Sequence, residues 1–489
     1  MPEQLAPPTV VFPHRPRRGV LYGLSLPQLV LAASALALLL LTLLSAGLLS
    51  AVALGPVWAA VATLVTVRRS GRPLIDWLPV IARYALRRRT GQTRWLARPV
   101  TRPRREGLLH LPGSAASLQV LSPSGPGDQA AAVYDPHRRV LVAIARVTSR
   151  AYVLLDPATQ HQHVAGWGRV LASLARTEHI AAIQVLERTV PDSTGDAVAR
   201  HWRRHGHHTG PAADIYGELV AAAGPAAAPH ETYLAVALDL KAARRLIGQA
   251  GGGLGGAFTV LSQTTAGVTQ AVRNAGLTVT GWLTAPQVAG VIRSAYDPTA
   301  RTALQQWSPS GRTEADPAAA GPVVQIEEHD RLATDTARHV TYWVENWPRT
   351  ETGASFLHGL LFTGGVRRCL SLIHTPQDLD RALRDIRRTK AGILADAAER
   401  ARRGQVAAEA DDVEYQDVIS RERQLIAGHA SVGLTGLLTI SAPDDTALDA
   451  ACTQIETAAV AAQIDLRRFS YQQAEAFLLA ALPLARTAA

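Results

Sequence analysis

The feature that most constrains this chain is residues 24–67, a run of 44 residues without a charged side chain. A helix needs about 20 apolar residues to cross a membrane, so this run is too long for one span and suits two. The small residues at 45–47 (Ser-Ala-Gly) tolerate a tight turn. We therefore predict a transmembrane helical hairpin at 24–67, with spans Leu26–Leu44 and Leu48–Val67. A signal peptide fits less well, because a second apolar span follows directly.

Positive charge lies on both sides of this run. The flanking arginines are Arg15, Arg17, Arg18, Arg68, Arg69 and Arg72. Residues 1–105 hold 15 arginines against Glu3 and Asp76, a net charge of +13, whereas the whole chain carries +10. Positive flanks stay on the cytoplasmic side of a membrane. We therefore predict a basic cytosolic tail at 1–23, a multi-pass protein of the inner (cytoplasmic) membrane, and a large cytosolic part.

A basic juxtamembrane segment at 68–113 follows the apolar run. Trp77, Ile81 and Tyr84 are interleaved there with arginine. Such a segment can lie on a membrane surface, with its arginines on anionic lipid headgroups. The arginines predicted to face lipid are Arg68, Arg69, Arg72, Arg83, Arg87, Arg88 and Arg89. A basic linker is the alternative, and direct nucleic-acid binding is disfavoured because the segment adjoins the membrane.

The rest of the chain alternates strand-like and helix-like patterns, which predicts a membrane-anchored α/β (α+β) protein. We predict a first cytosolic α/β unit at 114–297, built from ferredoxin-like βαβ pieces. Residues 298–322, rich in Pro, Gly and Ala, are predicted to be a linker. A second cytosolic α/β unit is predicted at 323–489.

The second unit is predicted to carry an inserted helical hairpin at 376–429. Thr375 has the character of an N-cap, Pro376 suits a first helical turn, and the acidic Asp378 follows. Gly404 allows the chain to reverse between two helices. Thr375 is thus the predicted start of the first helix.

The last part of the chain reads as β-α-β-α. Four apolar residues recur at helical spacing in the first of these helices, namely Leu448, Cys452, Ile455 and Ala459. Ser470 and Gln473 match a capping box for the final helix. Because Cys369 and Cys452 are the only cysteines, a disulfide framework or a four-cysteine metal site is excluded.

Motifs that carry chemistry are missing from the sequence. A nucleotide motor needs G-x-x-x-x-G-K-[ST], and the one Gly-rich stretch, Gly248–Thr259, contains no lysine. We interpret that stretch as a flexible connector. His201, His205, His207 and His208 are close in sequence, but Arg203 and Arg204 lie among them, which favours a solvated loop over a metal site. We therefore predict no enzyme activity, no cofactor and no metal.

Three phrases carry a resemblance to a known family: "YWVENWPR", "CLSLIHTPQDLDRALRDI" and the stretch from "GLLTISAPDDTALDAACTQIE" to "FSYQQAEAFLLAALPL". Residues 339–489 resemble the N-terminal domain of the conjugation ATPases of type IV secretion. The landmark residues are Trp343, Trp347, Pro348, Pro376, Asp378 and Pro483. In that family an ATPase domain follows the Leu-Pro-Leu phrase, and this sequence contains none.

The apolar hairpin also resembles known components. It is similar to the two-helix inner-membrane subunit of the same apparatus, and to the two-span anchor of a type VII secretion membrane component. The resemblance implies a non-enzymatic scaffold subunit of a bacterial secretion system, oligomeric within a complex with other membrane subunits.

A separate ATPase would then dock on the chain. Since the last helix leads into the motor in the fused family, the resemblance implies docking through Leu482, Pro483 and Leu484. The alternatives are a type VII-like membrane component or, less favoured, a membrane-anchored enzyme.

Overall fold

The chain folds into two compact units, residues 14–94 and residues 1–13 with 95–489. The structure is a computed structural model. It describes residues 8–10, 12, 26–69, 72–97, 106–123, 130–148, 152–189, 202, 204, 206, 209–226, 230–307, 313–348, 351–402, 409–426 and 431–487.

The smaller unit begins with two apolar helices, α1 (Leu26–Ala53) and α2 (Gly55–Thr66). The window Gln28–Ser45 in α1 has a mean hydropathy of 2.2 and is long and apolar enough to cross a membrane. Gly47 interrupts α1 with φ 80° and ψ 179°, a conformation that glycine tolerates and other residues avoid. The break therefore falls in the predicted turn at 45–47.

The two apolar helices contact each other near the start of α1 and the end of α2. The Gln28 side chain donates to the carbonyl of Val65 at 2.6 Å. Between Gly47 and α2 the backbone stays nearly helical, because Leu54 N–H donates to Ser50 and Trp58 N–H donates to Leu54. The residues of the predicted second span are thus helical, as the end of α1 and the 12-residue α2, and their crossing of a membrane stays a prediction.

A third helix, α3 (Leu74–Arg89), follows the apolar pair. A short antiparallel ladder of β2 (Arg68–Arg69) and β3 (Arg72–Pro73) precedes it. Basic side chains in the last turn of α3 suit the negative end of the helix dipole.

The larger unit is built on one sheet, which contains thirteen of the described strands. Its strands are β4 (Arg94–Leu96), β5 (Gln119–Leu121), β6 (Ala132–Asp135), β7 (Val140–Thr148), β8 (Ile180–Thr189), β9 (His230–Asp239), β10 (Thr278–Trp282), β11 (Val324–Glu327), β12 (Leu332–Ala333), β13 (Arg338–Asn346), β15 (Arg367–Pro376), β16 (Val432–Ala442) and β17 (Asp465–Arg468). The order across the sheet is β4-β11-β12-β13-β16-β15-β8-β9-β7-β6-β5, with β10 beside β7 and β17 beside β13.

A separate two-stranded ladder joins β1 (Thr9–Val10) to β14 (Thr352–Gly353). The strand pairings whose register is described are all antiparallel. The fold is therefore mixed α+β with a large antiparallel sheet, and the ferredoxin-like arrangement stays a prediction.

The sheet crosses the boundary predicted between two cytosolic units. Strand β15 pairs with β8 over seven residue pairs, which include Leu372 with Val185. Residues 114–297 and 323–489 are therefore not separate compact units. The predicted linker at 298–322 is also partly ordered, because it contains a helix at Ala300–Trp307.

Helices cover both faces of this sheet. The helices of the larger unit are α4 (Pro157–Ala175), α5 (Pro211–Ala226), α6 (Arg244–Gln249), α7 (Gly253–Asn274), α8 (Ala285–Tyr296), α9 (Ala300–Trp307), α10 (His358–Leu361), α11 (Leu379–Arg402), α12 (Glu409–Ile426), α13 (Asp445–Ala461) and α14 (Gln473–Ala481). Successive strand residues point to opposite faces. In β9, Ala235 and Ala237 pack in the core with α8 and α14, whereas Leu234 and Val236 pack in the core with α4 and α7.

The helical hairpin predicted at 376–429 is present as α11 and α12. Lys390 of α11 pairs with Glu422 of α12 at 3.0 Å. The predicted helix start at Thr375 is wrong, because β15 continues through Pro376. Asp378 caps α11 instead, accepting a hydrogen bond from the backbone N–H of Arg381 at 2.9 Å.

Helix α13 follows the predicted pattern. Its buried residues are Leu448, Cys452, Ile455 and Ala459. The capping box predicted for the last helix is wrong, because Gln473 is itself the first residue of α14. Its side chain accepts from the Thr341 backbone N–H at 2.9 Å and donates to the carbonyl of Phe469 at 2.7 Å.

Candidate functional site

The N-terminal segment is attached to the larger unit as a short strand. Val10 pairs with Thr352, and the backbone N–H of Ala354 donates to the carbonyl of Pro8 at 2.9 Å. The hydroxyl of Thr9 donates to Glu351. Part of the basic tail predicted at 1–23 is therefore folded against residues more than three hundred positions later.

Aromatic side chains fix the same segment. Phe12 stacks on Trp347 with ring centroids 4.9 Å apart, and it meets the edge of Phe356 at 5.4 Å. The landmark Trp347 follows directly after β13, and the neighbouring Pro348 is buried. This contact, which we call the N-terminal latch (Pro8–Phe12 on β14, Trp347 and Phe356), gives Trp347 a structural role.

The other tryptophan landmark lies on β13. The Arg467 guanidinium of β17 lies 4.3 Å from the Trp343 ring centroid, within range of a cation–π interaction. Arg467 also pairs with Glu345 at 2.7 Å. These contacts hold β17 on the sheet.

The residues predicted to dock an ATPase lie inside the protein. Leu482 is 0% exposed and Leu484 is 2% exposed, and Pro483 is buried as well. Both leucines belong to the largest hydrophobic core, together with Phe477 and Leu478. The prediction that Leu482, Pro483 and Leu484 form a contact surface is therefore wrong.

Two buried glutamines explain why the chain stays on the sheet after α14. Gln473 ties the start of the helix to β13. Gln184 of β8 donates to the carbonyls of Leu479 and Leu482 at 3.3 and 3.0 Å, and accepts from the Ala485 N–H at 2.6 Å. We call this arrangement the glutamine clamp (Gln184 and Gln473 on α14 and residues 482–485). Sequence periodicity does not predict this arrangement, because a single polar residue on an apolar strand, such as Gln184, does not indicate which distant groups it will bond.

The basic juxtamembrane side chains lie in the smaller unit. Arg68, Arg83, Arg88 and Arg89 are exposed, and the half-buried Arg87 lies 5.9 Å from the Tyr84 ring centroid. Arg69 and Arg72 belong to β2 and β3, and their side chains lie outside what the structure describes. Leu78, Ile81 and Leu86 of α3 are exposed on the same helix.

A buried arginine cluster was not predicted from the sequence. Oε2 of Glu231 accepts from Arg188 Nη2 at 2.7 Å and from the Tyr233 hydroxyl at 3.0 Å. Oε1 accepts from Arg301 Nη2 at 2.7 Å and from Arg146 Nη2 at 3.1 Å. Burial favours protonation of Glu231, but the neighbouring arginines outweigh it and lower its pKa to about 2.

His201, His205, His207 and His208 lie outside the described residues. Among the described residues there is no group of three or more His, Cys, Asp or Glu that could hold a metal ion. His339 is buried between Ser441 and Thr334, and burial lowers its pKa to about 3.

The Gly-rich stretch lies at the joint of two helices. Helix α6 precedes it and α7 starts at Gly253, so it does not follow a strand as a phosphate-binding loop does. A mostly apolar groove of about 540 Å³ is lined by α7 residues such as Phe258 and Leu261, and by Trp282 of β10.

No protein-family model matches the chain, and no curated protein matches it.

Proposed function

We propose that this chain is a non-enzymatic scaffold subunit of a bacterial type IV secretion-like or conjugative system. It is anchored in the inner membrane by a two-helix hairpin, and its larger unit docks a separate ATPase. The observation that supports a two-helix anchor is the N-terminal latch, because it limits how many times the chain can cross the membrane.

The latch attaches residues 8–12 to the same folded unit that contains residues 95–489. A folded unit lies on one side of a membrane. The chain between residues 13 and 95 must therefore cross the membrane an even number of times. If α1 crosses once, a second segment must return.

The residues after Gly47 have the length for that return. Residues 48–66 are nearly continuous helix and would extend about 28 Å, close to the thickness of about 30 Å of a hydrocarbon core. Pro56, which lacks an N–H, accounts for the irregular turn at Leu54. Antiparallel crossing is supported by the Gln28–Val65 contact between the outer ends of the two helices.

The exposed arginines next to the apolar run support a cytosolic side for both ends. They also attract anionic lipid headgroups, and each arginine near the membrane surface contributes about 1 kcal/mol to the free energy of that attraction. Exposed Leu78 and Ile81 on α3 add an apolar face of the kind that enters the headgroup region.

The ATPase partner rests on the resemblance of residues 339–489 to the non-motor domain of conjugation ATPases. A type VII-like membrane component is the second candidate, favoured by the same combination of two spans and a cytosolic α+β unit. The docking surface for an ATPase must lie elsewhere than residues 482–484, because those residues are core.

Membrane topology can be tested by cysteine labelling. Cys369 and Cys452 are each 4% exposed, so an impermeant maleimide should label the native chain weakly. Single variants Thr9→Cys, Gln92→Cys and Ser45→Cys probe the two ends and the turn. We expect labelling of Ser45→Cys from outside intact cells, and of the other two only after permeabilisation.

An exposed position in the larger unit provides the matched control. Val460 is 76% exposed, so Val460→Cys reports the side on which that unit lies. If Thr9→Cys and Gln92→Cys label from opposite faces, the hairpin and the latch are both contradicted.

The secretion role needs a separate measurement. Affinity purification of the tagged full-length chain from native membranes should recover an ATPase, and the purified chain alone should not hydrolyse ATP. Recovery of type VII subunits would favour the second candidate. ATP hydrolysis by the chain without a partner would contradict the scaffold proposal.

A further inference from the structure

The buried arginine cluster contains more positive charge than the carboxylate it contacts among the described residues compensates. Arg146 and Arg188 lie on the neighbours of β9, and Arg301 on α9 reaches the same carboxylate of Glu231. Arg367 of β15 lies nearby, since it donates to the carbonyl of Ser294 at 2.6 Å and Arg188 Nη1 donates to the hydroxyl of the same residue at 2.9 Å. Three guanidinium groups therefore contact one carboxylate, and a fourth adjoins them.

The excess charge is concentrated where water is scarce. Arg188 is 0% exposed and Arg301 is 5% exposed. Burial and the charges of Arg188 and Arg301 lower the pKa of Arg367 to about 10. An isolated buried charge is costly, so a further anion would stabilise a cluster of this kind.

Hydrogen-bond donors are also left over. Within the described residues, Nε of Arg188 and both Nε and Nη1 of Arg301 are buried without a partner. Glu231 cannot supply more, because its two oxygens already accept four hydrogen bonds. Unpaired buried donors cost about 1–3 kcal/mol each, and more when charged.

The cluster reaches solvent at one arginine. The Arg146 side chain is 45% exposed, while its Nη2 and that of Arg301 both lie within hydrogen-bond distance of Oε1 of Glu231. The exposed Arg146 and the buried Arg301 therefore meet at the same carboxylate oxygen. Arg367 adjoins the cluster through Ser294, to which Arg188 also donates.

We propose that this arginine cluster binds a phosphate group, with Arg146 at its entrance and Arg301 as its principal buried donor. A phosphate group fits better than a single carboxylate, because it carries close to two negative charges and three or more acceptor oxygens. Guanidinium groups bind such oxygens in pairs. The site goes beyond the scaffold function and does not depend on the membrane topology.

The test is calorimetric titration of the full-length chain in detergent with inorganic phosphate, with chloride at equal ionic strength as the reference ion. We expect saturable phosphate binding that chloride does not reproduce. Arg301→Gln and Arg146→Gln should each weaken it by about 10- to 100-fold, since each removes one or two charge-assisted hydrogen bonds. Arg169→Gln, at an exposed position on α4, is the matched control and should bind as the parent does.

A second variant keeps the proposal testable if Arg301→Gln fails to fold. Glu231→Gln removes the competing carboxylate, so it should lower the melting temperature without phosphate and recover part of the loss when phosphate is added. A purely structural cluster would show the loss without that recovery.

A second titration identifies the source of the phosphate group. A short-chain phosphatidate that binds more tightly than inorganic phosphate assigns a lipid headgroup, and equal affinities assign a free phosphate ligand. The proposal is overturned if the parent chain binds neither inorganic phosphate nor the phosphatidate. It is also overturned if Arg146→Gln binds phosphate as tightly as Arg169→Gln.

Discussion

The glutamine clamp allows a quantitative prediction about the C-terminal residues. Gln184 is 0% exposed and donates to Ser371 at 2.8 Å as well as to the carbonyls of Leu479 and Leu482. The change Gln184→Met nearly keeps the volume of the side chain and removes all of its hydrogen bonds. Any loss of stability then measures polar pairing rather than a cavity.

The size of the effect follows from which groups lose their partner. Leu482 O keeps one, because the N–H of Leu484 donates to it at 2.9 Å. The N–H of Ala485 loses its bond to Gln184, and the carbonyl of Leu479 has no helical substitute, because residue i+4 is Pro483 and lacks an N–H. The buried hydroxyl of Ser371 also loses the bond from Gln184. Three buried groups at about 1–3 kcal/mol each give a predicted loss of about 3–9 kcal/mol.

The assay is guanidinium unfolding of the full-length chain in detergent, followed by tryptophan fluorescence. Gln263→Met, at an exposed position on α7, is the control and should shift the free energy of unfolding by less than about 0.5 kcal/mol. If Gln184→Met unfolds at the same denaturant concentration as this control, with an unchanged slope, the clamp does not hold the C-terminal segment.

Two further predictions use the same unfolding measurement, and a third uses proteolysis. Leu482→Ala should cost about 2–5 kcal/mol because the side chain is 0% exposed, whereas Leu394→Ala, 53% exposed, should be nearly neutral; equal effects would place Leu482 at the surface. His339 has a pKa of about 3 when folded and about 6.5 when unfolded, so acid favours the unfolded state. As the pH falls below 6.5, the free energy of unfolding of the parent chain should decrease by up to about 1.4 kcal/mol per pH unit more than that of His339→Gln. Identical slopes in the two proteins would contradict the burial of His339 in its neutral form. Phe12→Ala should expose the N-terminal residues to protease without unfolding the larger unit, and unchanged cleavage would mean that the latch does not form.

The sequence predicted best where local signals agree with tertiary contacts. In α13, the four apolar positions at helical spacing are the four that pack against the sheet. The hairpin of α11 and α12 was also visible, since its reversal and its caps are local features. Its start was misplaced by three residues, because β15 pairs with β16 through Pro376.

The errors arose where distant residues decide the outcome. Leu-Pro-Leu at 482–484 resembles the exit of a helix, and the bonds that hold it come from Gln184, about three hundred residues earlier. The arginine cluster draws on β7, β8, β9, α9 and β15, so no window of the sequence contains it. A charged residue at an inward position of an apolar strand, as Arg188 is, was the only local sign.

The N-terminal latch also has a consequence for the order of events during synthesis. Thr9 and its partner Glu351 are 342 residues apart. At about 5–20 residues per second, the ribosome needs about 17–70 s to make the second after the first. Helix α1 has emerged long before β14 exists, so under the proposed topology the apolar segment would insert while the N-terminal residues are still unpaired. The flanking arginines would then set the orientation. The later pairing of β1 with β14 would make that orientation hard to reverse, because the chain would have to unpair before either end could change sides.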